Sequence, residues 1–363
     1  MQGRTAALLL FVAFVLAVSY QLSKTYCPTD LPSSSDDHLP RTLPEDLMDE
    51  EMVEGGGDGA GDDEENDGLS DDITFLFAII NMNRKTHMGI ENYTFEADYL
   101  EQLKGFLTNF RPEKVQIIIQ KKYYDYVKDH LYDGVHVRFV EVEELRAWKF
   151  YNSMETIRQS DWWINRTPWL QNVPQGYSDL YNPIVSHKLL WLRDLSVLNP
   201  FKTRYFVWLD SGGICTPRLN PFSGMHLNEF KPKVKFYLDK VFITLTGYAI
   251  GNELHGCYRE AMLKLTHDVS PCYIAKGWLM GGQRKPLERV AALYEYVINK
   301  TLELGCLGTE ETLLTMCYYR RPDLFHVHHN IERLDGPFDE GGDEKTELFT
   351  EKAMREEGTV DDD

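Results

Sequence analysis

At 363 residues the chain has room for one large domain or two modest ones, and its net charge of −19 is unevenly placed. Glu45 to Asp72 carries fourteen acids and no Lys or Arg, and Asp335 to Asp363 carries twelve acids against three bases. Residues 1–44 are neutral overall, so removing flanks of −14 and −9 leaves residues 73–334 at about +4. That mild balance excludes the concentrated basic stripe of a nucleic-acid binder, while a small anionic ligand such as a nucleotide stays compatible with it.

The opening stretch MQGRTAALLLFVAFVLAVSYQLSK has no charge between Arg4 and Lys24, a span just long enough to cross a bilayer. A signal anchor over residues 6–23, behind a cytosolic end of residues 1–5, is the favoured reading. A cleavable signal peptide with Ala17-Val18-Ser19 at its small-residue cleavage site is the other. Both place the rest of the chain in the secretory lumen, in a Golgi or related membrane, or outside the cell. The sequons at Asn92, Asn165 and Asn299 agree with this, and so do the six cysteines, which an oxidising lumen would allow to pair. Their connectivity is not readable, and no CxxC metal knuckle is present. Residues 24–72, with GGGDGAGDDEEND at their centre, have too little apolar surface to offset ordering and read as a disordered acidic stem. The tail at 335–363 reads the same way.

Between the flanks, strand and helix patterns alternate. ITFLFAII (73–80) is a buried strand, FEADYLEQLKGFLTNF (95–110) has the helical period, and KVQIIIQ (114–120) is a second strand. YYDYVKDHL (123–131) reads as a helix and VHVRFVEV (135–142) as a third strand. Residues 148–183, rich in Trp, Tyr, Pro and Asn, read as an irregular excursion. IVSHKLLWLRDLSVL (184–198) is a helix leading into the strand of RYFVWLDSGG (204–213). KVFITLTGYAI (240–250) and CYIAKGWLMGG (272–282) are further strands, the latter ending in paired glycines. The helices PLERVAALYEYVINKTLEL (286–304) and LGTEETLLTMCYY (307–319) precede the closing DLFHVHHN (323–330). The alternation predicts one α/β domain over residues 73–334 with a mainly parallel sheet.

In such a sheet ligands bind at the carboxyl ends of the strands. Asp210 sits at one of these ends, before Ser211, Gly212 and Gly213. A carboxylate there can ligate a divalent cation, and bare glycines let phosphate and sugar approach the backbone. An Asx turn explains the same residue equally well. Asn81 to Arg84 after the first strand and Gly281-Gly282 after a later one are expected at the same edge.

The strand context resembles glycosyltransferases of the GT-A fold, which hold Mn²⁺ or Mg²⁺ at an Asp-x-Asp after a central strand. Here the second acid is replaced by Gly212. FAIINMNRK, YNPIVSHKLLWLRDL, NPFKTRYFVWLDSGG, GWLMGG and LGTEETLLTMCYYRRPDLFHVHH, in this order and spacing, resemble the HtrL/YibB family over roughly residues 73–330. The resemblance implies a GT-A-like fold and sugar transfer from a nucleotide-diphosphate donor to a hydroxyl on a glycan, protein or lipid. Under that reading Arg84 and Lys188 meet the donor diphosphate. Gly212, Gly213, Gly281 and Gly282 line the substrates, and Asp210 with His326 and His328 holds Mn²⁺ or Mg²⁺. Glu310 or Glu311, in the first turn of a helix behind Thr309, is the general base. Each has a plainer explanation: a surface Arg, a solvated helix Lys, a β-turn, ordinary helix-start acids behind an N-cap, a His cluster. Gly212 also supports a second hypothesis, a catalytically silent lectin-like or scaffold protein of the same fold. A secreted metal-dependent hydrolase is a third, without an HExxH or GxSxG motif to carry it.

Overall fold

The computed structural model describes residues 68–82, 95–210, 227–247 and 253–329. The predicted anchor, the acidic tail and the stem as far as residue 67 lie outside these residues, as do Arg84, Ser211, Gly212 and Gly213. The last residues assigned to the stem, Ser70 to Asp72, instead open the first strand, where Ser70 pairs with Thr203. Among the described residues no helix is long and apolar enough to cross a membrane.

Among the described residues nine strands form, seven of them in one sheet: β1 Ser70–Ile79, β2 Lys114–Ile119, β3 Val135–Phe139, β4 Thr203–Leu209, β5 Val241–Gly247, β8 Tyr273–Gln283 and β9 Phe325–His329. Their order is β3-β2-β1-β4-β8-β5-β9. β2 pairs parallel with both β1 and β3, β1 with β4, and β5 with β9. Only β8, between β4 and β5, runs antiparallel to its neighbours. β6 (Glu253–Leu254) and β7 (Cys257–Tyr258) make a separate small hairpin.

The sheet is central because its strands are apolar on both faces, as parallel strands covered by helices must be. Along β1 and β4, Phe75, Phe77, Val207 and Leu209 pack on one side, with helix α1 (Glu101–Phe110) and helix α3 (Leu227–Lys235). Leu76, Phe206 and Trp208 face the other side, covered by α2 (Tyr181–Leu198), α4 (Arg284–Glu303) and α5 (Glu310–Arg320). Each such side chain contributes about 1.5–3 kcal/mol when fully buried. Thr74 and Thr203, buried between the strands, bond to one another at 2.6 Å.

Three expectations change. Residues 148–183 are a run of short helices, Tyr151–Arg158, Asp161–Arg166, Pro168–Asn172 and Pro174–Tyr177. Trp163 and Leu170 anchor them in the core, which is why the stretch is aromatic without being strand-like. Residues 121–130 form successive short turns of helix instead of one helix. The strand predicted over 240–250 is described as far as Gly247, residues 248–252 lying outside the description.

Strand pairing between β8 and β5 is interrupted. Ile243 pairs with Met280 and Thr244 with Lys276, so Gly277 to Leu279 form a bulge opposite β5. On the β4 side pairing continues through Leu279 opposite Leu209, and the Asp210 amide donates to Trp278 O at 2.8 Å. Bulges of this kind re-aim side chains beside functional sites, and this one lies against the carboxyl end of β4.

Candidate functional site

A cavity of about 530 Å³ opens at the carboxyl ends of β1 and β4. Ala78 to Ile80 and Met82 from the end of β1, the short helix 174–177, and Tyr181, Ile184 and Val185 from α2 make its apolar wall. Tyr99, Trp169 and Trp208 add aromatic faces. Its polar floor is Lys188, Asp210, His255, Thr309, Glu310 and Glu311. They come from four places, helix α2, the end of β4, the β6–β7 turn and the start of α5, which only the tertiary fold brings together.

The floor is built around one buried cation. Lys188, two turns into α2 and 6% exposed, donates to Asp210 Oδ2 at 2.7 Å and to Glu310 Oε1 at 2.6 Å, with Gly277 O at 3.5 Å. Burial alone would lower the pKa of Lys188, but the Asp210 and Glu310 charges overcome it and raise the ammonium above its ordinary value. Glu310 is itself deeply buried. Desolvation raises its carboxyl pKa and Lys188 opposes that rise, while the charges of Glu311 and Asp210 reinforce it. Gly277 makes the arrangement possible, because a Cβ there would stand 2.4 Å from Glu310 Oε1.

Glu311, the next residue of the helix, faces the cavity differently. It accepts from the Gly277 amide at 3.4 Å and from Lys276 at 3.3 Å, and lies 3.7 Å from His255 Nδ1. Thr309 stands at the N-cap position of α5 but makes no side-chain cap bond; its hydroxyl meets His255 Nδ1 at 3.0 Å. His255 has φ of 47° in the left-handed region and belongs to the β6–β7 turn with Gly256 at φ 89°. Burial lowers its pKa against the pull of Glu311, so the imidazole is held neutral.

The turn is fastened to the segment before α5. Cys257 and Cys306 form a disulfide with Cα atoms 4.9 Å apart. Gln175 donates to His255 O at 2.6 Å, Trp163 donates to Gly256 O at 2.9 Å, and Thr312 donates to Leu254 O at 3.2 Å. His255 was not singled out in the sequence; its one local signal is the His-Gly pair at a tight turn. Gly277 had none, because its role depends on Glu310, thirty-three residues later.

Asp210, Lys188, Glu310 and Glu311 are thus brought together, and the other candidates among the described residues are not. Gly281 and Gly282 pair with Val207 and Phe206, toward the start of β4, because β8 runs antiparallel. They are small for packing: a Cβ on Gly281 would meet Phe206 O at 2.8 Å, and one on Gly282 would meet Lys240 O at 3.2 Å. His326 pairs with Phe242 near the start of β5 and bonds Asp239 at 2.9 Å and Tyr237 O at 3.1 Å, at the opposite edge of the sheet. His328 lies on β9, three strands from β4, and neither histidine lines the cavity. Lys188 corrects in another way. Its protons are spent on protein acceptors, so it neutralises Asp210 instead of a diphosphate.

The described residues around Asp210 do not by themselves make a divalent-cation site, because the carboxylate is already paired with Lys188. Among the described residues no group of three or more His, Cys, Asp or Glu could hold a metal ion. An ion bonded to the Asp210 carboxylate would stand within roughly 5 Å of the Lys188 ammonium, and at an effective dielectric near 20 their repulsion is about 7 kcal/mol.

Fold and site define an α/β protein with an aromatic, carboxylate-floored cavity at the carboxyl edge of a mainly parallel sheet. The chain belongs to the family described as "Bacterial protein of unknown function (HtrL_YibB)", whose model matches residues 94–335. Protein HtrL of Escherichia coli (strain K12) is 22% identical over 211 residues, which span 54% of this chain and 66% of that protein, just under two thirds of its length. Mouse xyloside xylosyltransferase 1 in its apo form aligns with TM-score 0.37 and 13% identity, over 71% of this chain and 85% of that one. Core-mannan synthase A from Aspergillus fumigatus in a Mn/GDP form aligns with TM-score 0.40 and 9% identity, over 71% and 72%. Both scores lie below 0.5, so these alignments define neither the fold nor the chemistry of this chain.

Proposed function

We propose that the protein is a GT-A-like glycosyltransferase that moves a sugar from a nucleotide-diphosphate donor to a hydroxyl acceptor on a glycan, protein or lipid. The observation that carries this reading is the cavity itself. Aromatic faces suit the apolar C–H faces of a sugar ring, and a floor of carboxylates suits its hydroxyls. Glu311 is the general base. It takes the acceptor proton as the acceptor oxygen bonds to the anomeric carbon, and the bond to phosphate breaks with its electron pair leaving on the nucleoside diphosphate. Glu310 is the positioning partner in this reading, and its enclosure against Lys188 supports Glu311 over it as the base. The described residues give no role to a metal at Asp210, and no step is assigned to one.

Residues 6–23 as a membrane anchor, the segment from residue 24 to the start of β1 as a stem and a luminal location for the domain complete the proposal. The Cys257–Cys306 disulfide supports an oxidising compartment, as does the exposed position of Asn299 in its sequon.

The test is calorimetric titration of the full chain with a panel of nucleotide sugars and nucleoside diphosphates. Saturable uptake of at least one donor, weakened ten-fold or more in Asp210→Asn, is expected; no uptake of any donor removes the reading. The silent lectin-like alternative is favoured by Gly212 at the second acid position. It predicts uptake of free glycan without donor.

A further inference from the structure

We propose that the Lys188 ammonium takes the place of a divalent cation on Asp210, so that this carboxylate is held and neutralised by the protein's own charge and binds no metal. The proposal deepens the transferase reading, but its geometry stands without it. Lys188 Nζ lies between Asp210 Oδ2 and Glu310 Oε1 at 2.7 and 2.6 Å, with Gly277 O behind it at 3.5 Å. A bridging ion would need that same position between two carboxylates from different elements. The position is built, not incidental. Gly277 is bare where any side chain would strike Glu310, and the β8 bulge that presents it breaks pairing with β5. Lys188 itself is 6% exposed and its ammonium is held by two charged acceptors, so moving it aside to admit an ion would break both bonds.

The arrangement also accounts for Gly212 where the GT-A pattern has a second acid. A second carboxylate serves to hold a metal, and a site whose cation is covalently part of the chain has no use for one. Lys188 is a positioning residue: its hydrogen bonds go to protein, and it leaves the second oxygen of Asp210, a residue that lines the cavity, without a partner among the described residues. That oxygen is an acceptor ready for a substrate hydroxyl. With its protons spent, the lysine gives the floor acceptors and no free cationic donor, so the floor suits a neutral sugar ring and not its diphosphate.

The measurement is Mn²⁺ binding by electron paramagnetic resonance on the full chain, with the metal alone as probe. The acidic flanks, with fourteen and twelve carboxylates, take up Mn²⁺ in every variant, so the readout is the difference between variants. Wild type and Asp210→Asn should titrate identically. Lys188→Met keeps the stem and vacates only the Nζ position, and should gain one site at least ten-fold tighter than the flanks. That site should vanish in Lys188→Met/Asp210→Asn, and Lys188→Arg should behave as wild type. An ion bound by wild type and lost in Asp210→Asn overturns the proposal, as does a folded Lys188→Met that gains nothing. If Lys188→Met does not fold, the wild type and Asp210→Asn pair decides alone. Any of these results leaves the donor-binding titration to judge the transferase reading separately.

Discussion

Gly277 and Glu310 are thirty-three positions apart in sequence and occupy each other's space in the fold. Replacing Gly277 by Ala puts a methyl 2.4 Å from Glu310 Oε1, and overpacking of this kind costs about 1–3 kcal/mol. We expect a lower denaturation midpoint for Gly277→Ala together with weakened donor binding, whereas Gly281→Ala should lower the midpoint through packing against Phe206 and Leu238 alone. At this scale the sequence shows half the site. Asp210 at a strand end and acids at a helix start are local patterns, and both line the cavity. Which glutamate faces the ligand is decided by burial against Lys188, which no local pattern encodes. His255 and Gly277 have meaning only through their partners.

Strand direction is the property of elements that sequence periodicity leaves open, and here it decided two assignments. The glycines that end β8 were expected beside Asp210. An antiparallel strand carries its carboxyl end to the other edge, and brings its middle, Gly277 and Trp278, to the site. The β6–β7 hairpin was missed because two-residue strands have no period to detect. Its attachment can be tested. Cys257 and Cys306 close a loop of 49 residues, and losing such a bridge costs about 2–4 kcal/mol. Cys306→Ser should therefore lower the thermal midpoint and, by freeing His255 from Thr309 and Glu311, reduce turnover more than donor binding.

Helix α2 carries a second titratable residue one position from Lys188. His187 packs between Trp148 and Trp191, with ring centroids 4.0 and 5.1 Å away. Burial lowers its pKa from 6.5 to about 4 despite a bond to Pro183 O at 2.7 Å. The folded state therefore holds fewer protons there than the unfolded chain between pH 6.5 and 4. Its contribution is complete above pH 6.5 and is lost as pH falls toward 4, a change of about 3 kcal/mol. Denaturation midpoints measured across that window should fall in wild type and fall less steeply in His187→Gln.

For the whole molecule, the mainly parallel α/β sheet was legible from alternating apolar runs, and its two buried faces follow from strands with no polar side. The edge at which the cavity opens followed as well, because six of the seven strands share one direction. Part of the cavity wall, Trp169 with Val173 to Gln175, lies in residues 148–183 but was unreadable there, since Trp and Pro in short helices give neither a period of 2 nor one of 3.6. The account rests on that cavity handling a nucleotide sugar. The most direct measurement is nucleoside diphosphate release by the full chain, with a panel of nucleotide sugars and hydroxyl acceptors, in EDTA and in Mn²⁺. The predicted result is turnover of at least one donor that persists in EDTA and falls about 10²–10⁴-fold in Glu311→Gln while donor binding is kept. Release of no diphosphate from any donor, or release undiminished in Glu311→Gln, would contradict it.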